Sequence, residues 1–231
     1  MQKIKHIFFD LDHTLWDFDK NAHETLLELF EAYHLADLGL DSAEHFITVY
    51  TENNHRLWAQ YHLGEISKQT LRAQRFKKTF LDLGLSPDLI PARFEEDYVE
   101  LSPRKTNLFE STEKVLLYLH QRYQLHIISN GFKEATLTKM EVSNLNPFFQ
   151  NIIISEEVGV NKPDNLIFEY ALDKAKARKG ESIMIGDSLE ADIYGAQNFG
   201  IDAIFFNPNK VQKPNDVHQQ IFHLEELLNI F

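Results

Sequence analysis

The sequence lacks cysteine, has no long apolar run and carries no excess of basic side chains. The absence of cysteine excludes disulfide bonds, thiolate metal sites and a cysteine nucleophile, and it suits a reducing cytoplasm. The richest apolar runs, such as Ile152–Ile154 and Ala203–Phe206, have only the length of a β-strand, so neither a membrane association nor a secretory signal is predicted. With 23 basic against 35 acidic residues the formal net charge is −12, which argues against binding of polymeric nucleic acid.

What the sequence does contain is the composition of an ordinary globular protein, with 43% apolar and 25% charged side chains among 231 residues. This length corresponds to about one and a half typical domains, which suits one large domain or a core with an inserted unit. The negative charge still allows a small anionic ligand, provided that a local positive site holds it.

Strand-like and helix-like segments alternate along most of the chain. Runs rich in β-branched and aromatic residues predict five strands, namely Ile4–Phe9, Leu125–Ser129, Ile152–Ser155, Ser182–Ile185 and Ala203–Phe206. Helical patterns lie between or after the later strands, at Thr112–Arg122, Lys133–Ser143, Leu166–Arg178, Leu189–Phe199 and Ile221–Ile230. This alternation predicts an α/β fold with a Rossmann-like parallel sheet and helices on both of its faces.

The first strand departs from this alternation, because a long helical stretch separates it from the second strand. Three or four helices are predicted there: Asn21–His34, one from an N-cap at Ser42 to Gly64, one from an N-cap at Ser67 to Gly84, and Phe94–Leu101 as the fourth. Helices inserted into one loop of a parallel sheet suggest a separate bundle over the strand ends. We therefore predict a core of residues 1–16 and 106–231 and a helical cap of residues 17–105.

Polar residues follow four of the predicted strands, at the edge of the sheet where ligands bind in open α/β folds. These segments are Asp10-Leu11-Asp12-His13-Thr14, Ser129-Asn130-Gly131, Asn161-Lys162-Pro163-Asp164, and the stretch from Gly186-Asp187-Ser188 to Asp192. A single Asp-x-Asp-x-Thr is a weak signal. Four such strand ends in one order are far more specific.

The type and order of these four segments resemble the motifs of the haloacid dehalogenase-like hydrolases, and the resemblance covers nearly the whole chain. Two further phrases are similar to the pyrimidine 5′-nucleotidases of that superfamily: Leu57-Trp58-x-x-Tyr61 with Gly64-x-Ile66-Ser67, and Ile154-Ser155-Glu156-Glu157-Val158-Gly159. The insertion after Thr14 resembles the helical type of cap, which excludes water and favours a small substrate over a protein.

Hydrolysis of a phosphomonoester needs a nucleophile, an acid for the leaving oxygen and positive charge around the phosphoryl group. Asp10 is the candidate nucleophile, and Asp12 is the candidate general acid and base; the alternative for Asp12 is a side chain that only caps a turn. Close carboxylates call for a hard cation such as Mg²⁺, with Asp187 as a further carboxylate ligand. The resemblance adds Asp10 and the backbone carbonyl of Asp12 to the ligands of this metal.

Lys162 is the candidate cation for the phosphate and for Asp10, although a single lysine is more often a solvated surface residue. Ser129 and the backbone N–H groups of Asn130 and Gly131 are predicted to bind phosphoryl oxygens, with Gly131 giving the turn its conformational freedom. Thr14 and Asp192 are predicted to support the site without binding the metal directly. Thr14 would hold together the loop after the first strand, and Asp192 would face the metal through water or orient Lys162. The alternative for Asp192 is an acid that merely favours a helix N-terminus.

Five aromatic or imidazole side chains are candidates for lining the substrate site, and the tryptophans, phenylalanine and tyrosine among them could stack on a nucleobase. They are His13, Trp16, Phe18, Trp58 and Tyr61. Aromatic residues at helical spacing are more often part of a hydrophobic core, and this alternative stays open for each of them.

The predicted function is therefore that of a Mg²⁺-dependent phosphomonoester hydrolase with an aspartyl-phosphate intermediate, whose substrate is a nucleoside 5′-monophosphate. Phosphoglycolate, a sugar phosphate or another small phosphorylated metabolite is the first alternative. A dehalogenase shares the nucleophile but needs neither the metal nor Asp12, and a non-catalytic binding protein would be expected to have lost Asp10, Asp12, Lys162 or Asp187. The oligomeric state is not predicted.

Overall fold

The computed structural model describes residues 4–231, so the first three residues of the predicted core segment lie outside the described residues. The chain divides into two compact units. One, the sheet unit, comprises the chain up to Phe18 together with Thr106–Phe231, and the other, the helical unit, comprises Asp19–Lys105. Within the part of the chain described, no helix combines the length and the apolar character that crossing a membrane would require.

The sheet unit is built on six parallel strands in the order β3-β2-β1-β4-β5-β6. Their bounds are β1 His6–Phe9, β2 Gln124–Ser129, β3 Phe149–Ile154, β4 Ser182–Gly186, β5 Asp202–Phe206 and β6 Gln220–Ile221. The predicted α/β fold with a parallel sheet is thereby confirmed. β1 lies between β2 and β4, so the segments that follow these three strands emerge side by side.

Ten α-helices accompany the strands within residues 4–231. They are α1 Phe18–Ala32, α2 Ala43–His62, α3 Lys68–Asp82, α4 Phe94–Leu101, α5 Thr112–Leu119, α6 Lys133–Val142, α7 Ser155–Val158, α8 Asn165–Ala175, α9 Gly195–Phe199 and α10 Leu227–Ile230. The predicted helices at Asn21–His34, Thr112–Arg122 and Leu166–Arg178 correspond to α1, α5 and α8, each of which ends two or three residues earlier than predicted.

Helices cover both faces of the sheet, because alternate residues of each strand enter different hydrophobic clusters. Ile7 and Phe9 of β1 pack in a cluster with residues of α5 and α10. Phe8 packs on the other face, in a cluster with residues of α8 and α9. All four residues of β1 are buried, which is the pattern of a central parallel strand.

One predicted helix begins as a strand, and another is helical but begins with a different type of helical turn. The segment predicted as a helix from Ile221 begins instead as β6, where Ile221 pairs with Phe206, and its helical part starts only after His223. A strand of two residues is too short to give a periodic pattern. The predicted helix Leu189–Phe199 begins as a π-helical turn over Leu189–Tyr194, and only Gly195–Phe199 is α-helical.

The helical unit consists of α1 from its second residue together with α2, α3 and α4. The predicted N-caps are confirmed, because the hydroxyl oxygen of Ser42 accepts from the N–H of His45 and that of Ser67 from the N–H of Thr70. The core of the unit is strongly aromatic, with ring pairs that prefer edge-to-face contacts. This unit therefore has its own hydrophobic core.

Candidate active site

Asp10 is fixed at the edge of the sheet by its own backbone. It follows β1 directly, and its N–H donates to the carbonyl of Ile185 in β4 at 2.9 Å. This bond extends the backbone hydrogen bonding between β1 and β4 by one residue. Only 8% of Asp10 is exposed. The nucleophile predicted from the sequence therefore stands on a rigid element, in the position between β2 and β4 where ligands are bound in this class of fold.

Lys162 lies against Asp10 and is buried, with 1% of its surface exposed. Its ammonium donates three hydrogen bonds, to Asp10 Oδ1 at 2.6 Å, to Asp192 Oδ1 at 2.7 Å and to the carbonyl of Ile128 at 2.7 Å. An ammonium has three donors, so all of them are used. Contact between Lys162 and a phosphoryl oxygen stays a prediction, and it requires that one of these bonds be exchanged.

The backbone of Lys162 is held in turn by the side chain of Asn130. The amide oxygen of Asn130 accepts from the N–H of Lys162 at 2.8 Å, and its amide nitrogen donates to the carbonyl of Lys162 at 2.9 Å. Asn130 was predicted to contribute only its backbone N–H to phosphate binding. The amide side chain connects the end of β2 to the loop that carries the lysine, a role that the sequence did not reveal.

Asp187 and Asp192 complete the acidic side of the site. Thr14 donates to Asp187 Oδ1 at 3.3 Å, so Thr14 joins the loop after β1 to the loop after β4. Asp192 is buried and accepts from the N–H of Ser188 at 3.0 Å in addition to the ammonium of Lys162. A Cβ on Gly186 would lie 2.2 Å from Asp192 Oδ2, so only glycine leaves room for this carboxylate.

Burial and mutual repulsion shift the ionisation of these acids. Burial raises the pKa of Asp10 well above its ordinary value, against the opposing effect of Lys162 and with a further contribution from Asp192 and Asp187. Burial also raises the pKa of Asp187 to about 8, and the charge of Asp192 adds to this effect. Burial alone would lower the pKa of Lys162, but Asp10 and Asp192 raise it above its ordinary value, so the ammonium stays charged.

The same three acids have the chemistry of a cation site. Carboxylate oxygens of Asp10, Asp187 and Asp192 lie within 4.8 Å of one another. Asp10 and Asp192 are buried and Asp187 is half-buried, so the single ammonium of Lys162 leaves an excess of negative charge, in line with the raised pKa of Asp187. Carboxylate oxygens are ligands that Mg²⁺ prefers, so the donor set fits a hard divalent cation. Asp192 is already bonded through both oxygens, which leaves Asp10 and Asp187 as the better placed ligands.

The carboxylate of Asp12 is bound by a residue that was not predicted from the sequence. The ammonium of Lys139, in α6, donates to Asp12 Oδ1 at 2.6 Å, and Lys139 is buried. The same ammonium lies 4.2 Å from the centre of the Trp16 ring. No local motif marks Lys139, because it comes from a helix far along the chain from Asp12.

The loop after β2 is compact at Gly131. Its N–H donates to Ser129 Oγ at 3.0 Å, so this predicted phosphate donor is engaged with the neighbouring hydroxyl. A Cβ on Gly131 would lie 2.8 Å from Thr136 Oγ1 and 3.3 Å from Asp12 Oδ2. Glycine is therefore required here for lack of space. Its φ is not positive, so a left-handed conformation is not the reason for the glycine, and the conformational freedom predicted for this turn stays a prediction.

The candidate substrate-lining residues lie in different environments. Trp16 is fully buried in the core of the sheet unit, which leaves no open ring face for a nucleobase. Phe18 is half-buried, and the ring of His13 is centred 5.0 Å from its ring. Trp58 and Tyr61 are half-buried on α2 of the helical unit, edge to face at 5.5 Å. Contact of the last four with substrate stays a prediction.

Comparison with known proteins agrees with this geometry. The family model described as "Haloacid dehalogenase-like hydrolase" matches residues 7–206, a range that includes every residue of the site. The solved structure of the putative HAD-hydrolase YfnB from Bacillus subtilis, which is described as bound to magnesium and as revealing interdomain movement, superposes with a TM-score of 0.87 at 28% identity and covers 99% of both chains.

Three curated relatives are phosphatases by name. The pyrimidine 5′-nucleotidase PynA of Streptococcus pneumoniae is 30% identical over 97% of this chain and 94% of its own. The pyrimidine 5′-nucleotidase YjjG of Escherichia coli is 28% identical over 96% of both chains. A glyceraldehyde 3-phosphate phosphatase of Pyrococcus furiosus is 31% identical over 91% of this chain and 83% of its own. The chain thus belongs to the haloacid dehalogenase-like hydrolases and is an enzyme of that superfamily.

Proposed function

We propose that the protein is a Mg²⁺-dependent phosphomonoester hydrolase that acts through an aspartyl-phosphate on Asp10, with a nucleoside 5′-monophosphate as its substrate. The observation that carries this proposal is the arrangement around Asp10. A buried ammonium lies 2.6 Å from its carboxylate, carboxylate oxygens of Asp187 and Asp192 lie within 4.8 Å of one of its own, and Asp12 follows two residues later. The names of the phosphatase relatives support the same reaction class.

In the first step a carboxylate oxygen of Asp10 attacks the phosphorus, and the bond from phosphorus to the leaving oxygen breaks as Asp12 gives that oxygen a proton. In the second step water attacks the phosphorus, Asp12 takes a proton from this water, and the bond to Asp10 breaks to release phosphate. Lys162 balances the charge of Asp10 throughout.

The metal would be held by the carboxylates of Asp10 and Asp187 and by the backbone carbonyl of Asp12. When bound, Mg²⁺ supplies positive charge that neutralises the clustered carboxylates and withdraws charge from the phosphoryl oxygens. Asp192 holds Lys162, and Thr14 holds Asp187. The hydroxyl of Ser129 and the N–H of Asn130 provide neutral donors for the phosphoryl group, and the N–H of Gly131 joins them when it exchanges its bond to Ser129 Oγ.

The presence of Asp12 favours hydrolysis of a phosphate ester over dehalogenation. A halide leaves as an anion and needs no proton, so a dehalogenase has no use for a second carboxylate beside the nucleophile. Here Asp12 carries its own buried counter-ion, Lys139. The retention of Asp10, Asp12, Lys162 and Asp187 likewise argues against a non-catalytic binding protein.

The choice of a nucleotide as substrate rests on two relatives named pyrimidine 5′-nucleotidases and on the two sequence phrases similar to that group. The relative named glyceraldehyde 3-phosphate phosphatase favours the alternative of another small phosphorylated metabolite. Both substrates present a phosphate ester of an aliphatic hydroxyl, so the chemistry of the site is the same for either.

A panel of phosphomonoesters tests the proposed function directly. UMP, dUMP, dTMP, AMP, phosphoglycolate and hexose phosphates are each incubated with the protein and Mg²⁺, and released phosphate is measured. We expect the highest kcat/KM among the pyrimidine nucleotides. A preference for a substrate other than a nucleotide would contradict the proposed substrate but not the proposed phosphomonoester hydrolysis. The absence of turnover with every phosphomonoester would contradict the hydrolysis itself.

Mg²⁺ should also stabilise the folded protein through Asp187. At a concentration about 100-fold above its Kd, the metal should add about 2.7 kcal/mol to the free energy of unfolding, because it binds the folded state. Asp187→Asn should remove this gain while leaving the EDTA-treated protein close to wild type, since asparagine resembles the protonated acid that a pKa of about 8 favours at pH 7. Urea unfolding with Mg²⁺ and with EDTA measures both effects.

The matched control for this experiment is Glu190→Gln, which removes an exposed acid from the turn after β4. This variant should keep the full gain from Mg²⁺. The proposed metal site would be contradicted if Asp187→Asn kept the gain too, or if Glu190→Gln lost it.

A further inference from the structure

Lys139 is a buried cation for which the proposed reaction has so far no role. Only 5% of its surface is exposed, although lysine is almost never buried without a partner. Its ammonium donates to Asp12 Oδ1 at 2.6 Å. The bond is short and the pair is largely removed from water, so it constrains the carboxylate more than a surface ion pair would.

Two aromatic rings hold the ammonium in place. Lys139 Nζ lies 4.2 Å from the centre of the Trp16 ring and 5.3 Å from that of Phe18, within the range of cation–π attraction. Trp16 is itself immobile, because it is fully buried and its backbone bridges to Asp12 on one side and to Leu108 on the other. The position of Lys139 is therefore determined by the core and does not depend on a flexible surface.

The second oxygen of Asp12 is directed elsewhere. Asp12 Oδ2 lies 3.3 Å from the point that a Cβ on Gly131 would occupy, in the loop after β2. This is the loop whose Ser129 and backbone are proposed to bind the phosphoryl group. One oxygen of Asp12 is thus tied to Lys139, and the other faces the phosphate loop.

We propose that Lys139 is the positioning residue for the general acid and base. By binding Oδ1, it fixes the side chain of Asp12 so that Oδ2 is the oxygen that exchanges a proton with the leaving group and with water. Lys139 acts through Asp12 and does not itself touch the phosphate. This inference rests on the proposed function, because it assigns a part in the same reaction.

The dependence of rate on the leaving group tests this role. A nucleoside 5′-monophosphate releases an alkoxide that must be protonated, whereas p-nitrophenyl phosphate releases a stable phenolate that needs no acid. In Lys139→Met, kcat/KM should fall about 10- to 100-fold for the nucleotide that the wild type hydrolyses best, and less than about 3-fold for p-nitrophenyl phosphate. The value kcat/KM is used because it reports the step in which the leaving group departs.

Two further variants complete the test. Lys139→Arg keeps a cation beside Asp12 and should recover most of the loss on the nucleotide. Lys174→Met removes an exposed lysine of α8 and should leave both substrates unaffected. Lys139→Gln replaces the methionine variant if that one fails to fold, with the same expected selectivity. Thermal unfolding establishes which variants are folded.

The outcomes are distinct for the inference and for the proposed function. An equal loss on both substrates, or no loss on either, would overturn the role of Lys139. A loss seen mainly as a higher KM for both substrates would also overturn it, since that pattern indicates a direct contact with phosphate. If the wild type hydrolyses neither substrate, the proposed function itself fails.

Discussion

Asp10→Asn should abolish phosphatase turnover, with a fall in kcat of about 10⁴-fold or more, because asparagine lacks the carboxylate oxygen that forms the bond to phosphorus in the proposed reaction. The fold should survive, since asparagine has the same shape and Lys162 keeps its bonds to Asp192 and to the carbonyl of Ile128. Phosphate release is measured with the best substrate of the panel, and circular dichroism with thermal unfolding monitors the structure.

Deamidation is the principal source of error, because traces of Asp10 regenerated from asparagine would restore activity. Mass spectrometry of the peptide that contains residue 10 controls for this. Lys174→Met, purified in parallel, shows the activity expected for a substitution distant from the chemistry. Substantial turnover by intact Asp10→Asn would show that Asp10 is not the nucleophile.

An isotope experiment distinguishes the two reactions that an aspartate nucleophile can perform. In a single turnover in H₂¹⁸O, water that attacks phosphorus delivers ¹⁸O to the released phosphate and none to Asp10. A dehalogenase forms a carboxylate ester with carbon, and water that attacks the carbonyl carbon of this ester leaves ¹⁸O in Asp10. We expect label in phosphate alone, and label in the aspartate would contradict a phosphatase.

The sequence was sufficient to predict the sheet edge at which the candidate site residues lie. The strands β1, β2 and β4 are short, apolar and buried, and each is followed at once by a polar segment. Because parallel strands end at one edge, the linear order of Asp10, Ser129 and Asp187 determines that they approach one another. Lys162 could be assigned to the same edge, since it precedes Pro163 and the N-terminus of α8.

The residues that support this edge were not predictable in the same way. Lys139 and the amide side chain of Asn130 act through contacts with residues distant in sequence, and neither lies in a pattern that a window along the chain would detect. Trp16 was a plausible stacking residue by type, but only packing decides that its ring is buried. Local pattern therefore predicts which groups are candidates for the chemistry, whereas tertiary contact determines which side chains hold these candidates in place.

The same limit applies to the loop after β2. The sequence Ser129-Asn130-Gly131 predicts a turn rich in donors, and the expectation was that Gly131 provides unusual backbone angles. The structure assigns the glycine to close packing against Thr136 and Asp12. The need for a glycine here depends on the position of α6, which carries Thr136, and the sequence of the turn alone does not reveal that position.

Of the single substitutions proposed, Lys162→Met should cause the largest loss of stability. The free energy of unfolding at pH 7 should fall by about 3–5 kcal/mol, because two buried carboxylates lose their common counter-ion. Asp10 and Asp192 both bind this ammonium, and the carbonyl of Ile128 would lose its donor as well. Urea unfolding in EDTA measures the loss, with Lys174→Met as the control lysine.

The dependence of this loss on pH identifies its cause. Lys162 opposes the increase that burial causes in the pKa of Asp10, so its removal raises this pKa further above the value in the unfolded chain. The folded variant then binds protons that the unfolded chain has released, and its stability increases as the pH falls. The difference between wild type and variant should therefore decrease from pH 8 to pH 5.

A second substitution provides the decisive comparison. Adding Asp192→Asn to Lys162→Met removes one of the two unpaired charges, so the double variant should be more stable than Lys162→Met alone at pH 7. If the loss were unchanged between pH 8 and pH 5 and Asp192→Asn gave no recovery, it would stem from the packing of the lysine stem. Recovery at low pH together with recovery by Asp192→Asn would mean that the charge of Lys162 holds the two carboxylates at the sheet edge. In the proposed reaction Asp10 needs this counter-charge as a nucleophile, so the group that stabilises the fold would also prepare the site for phosphate.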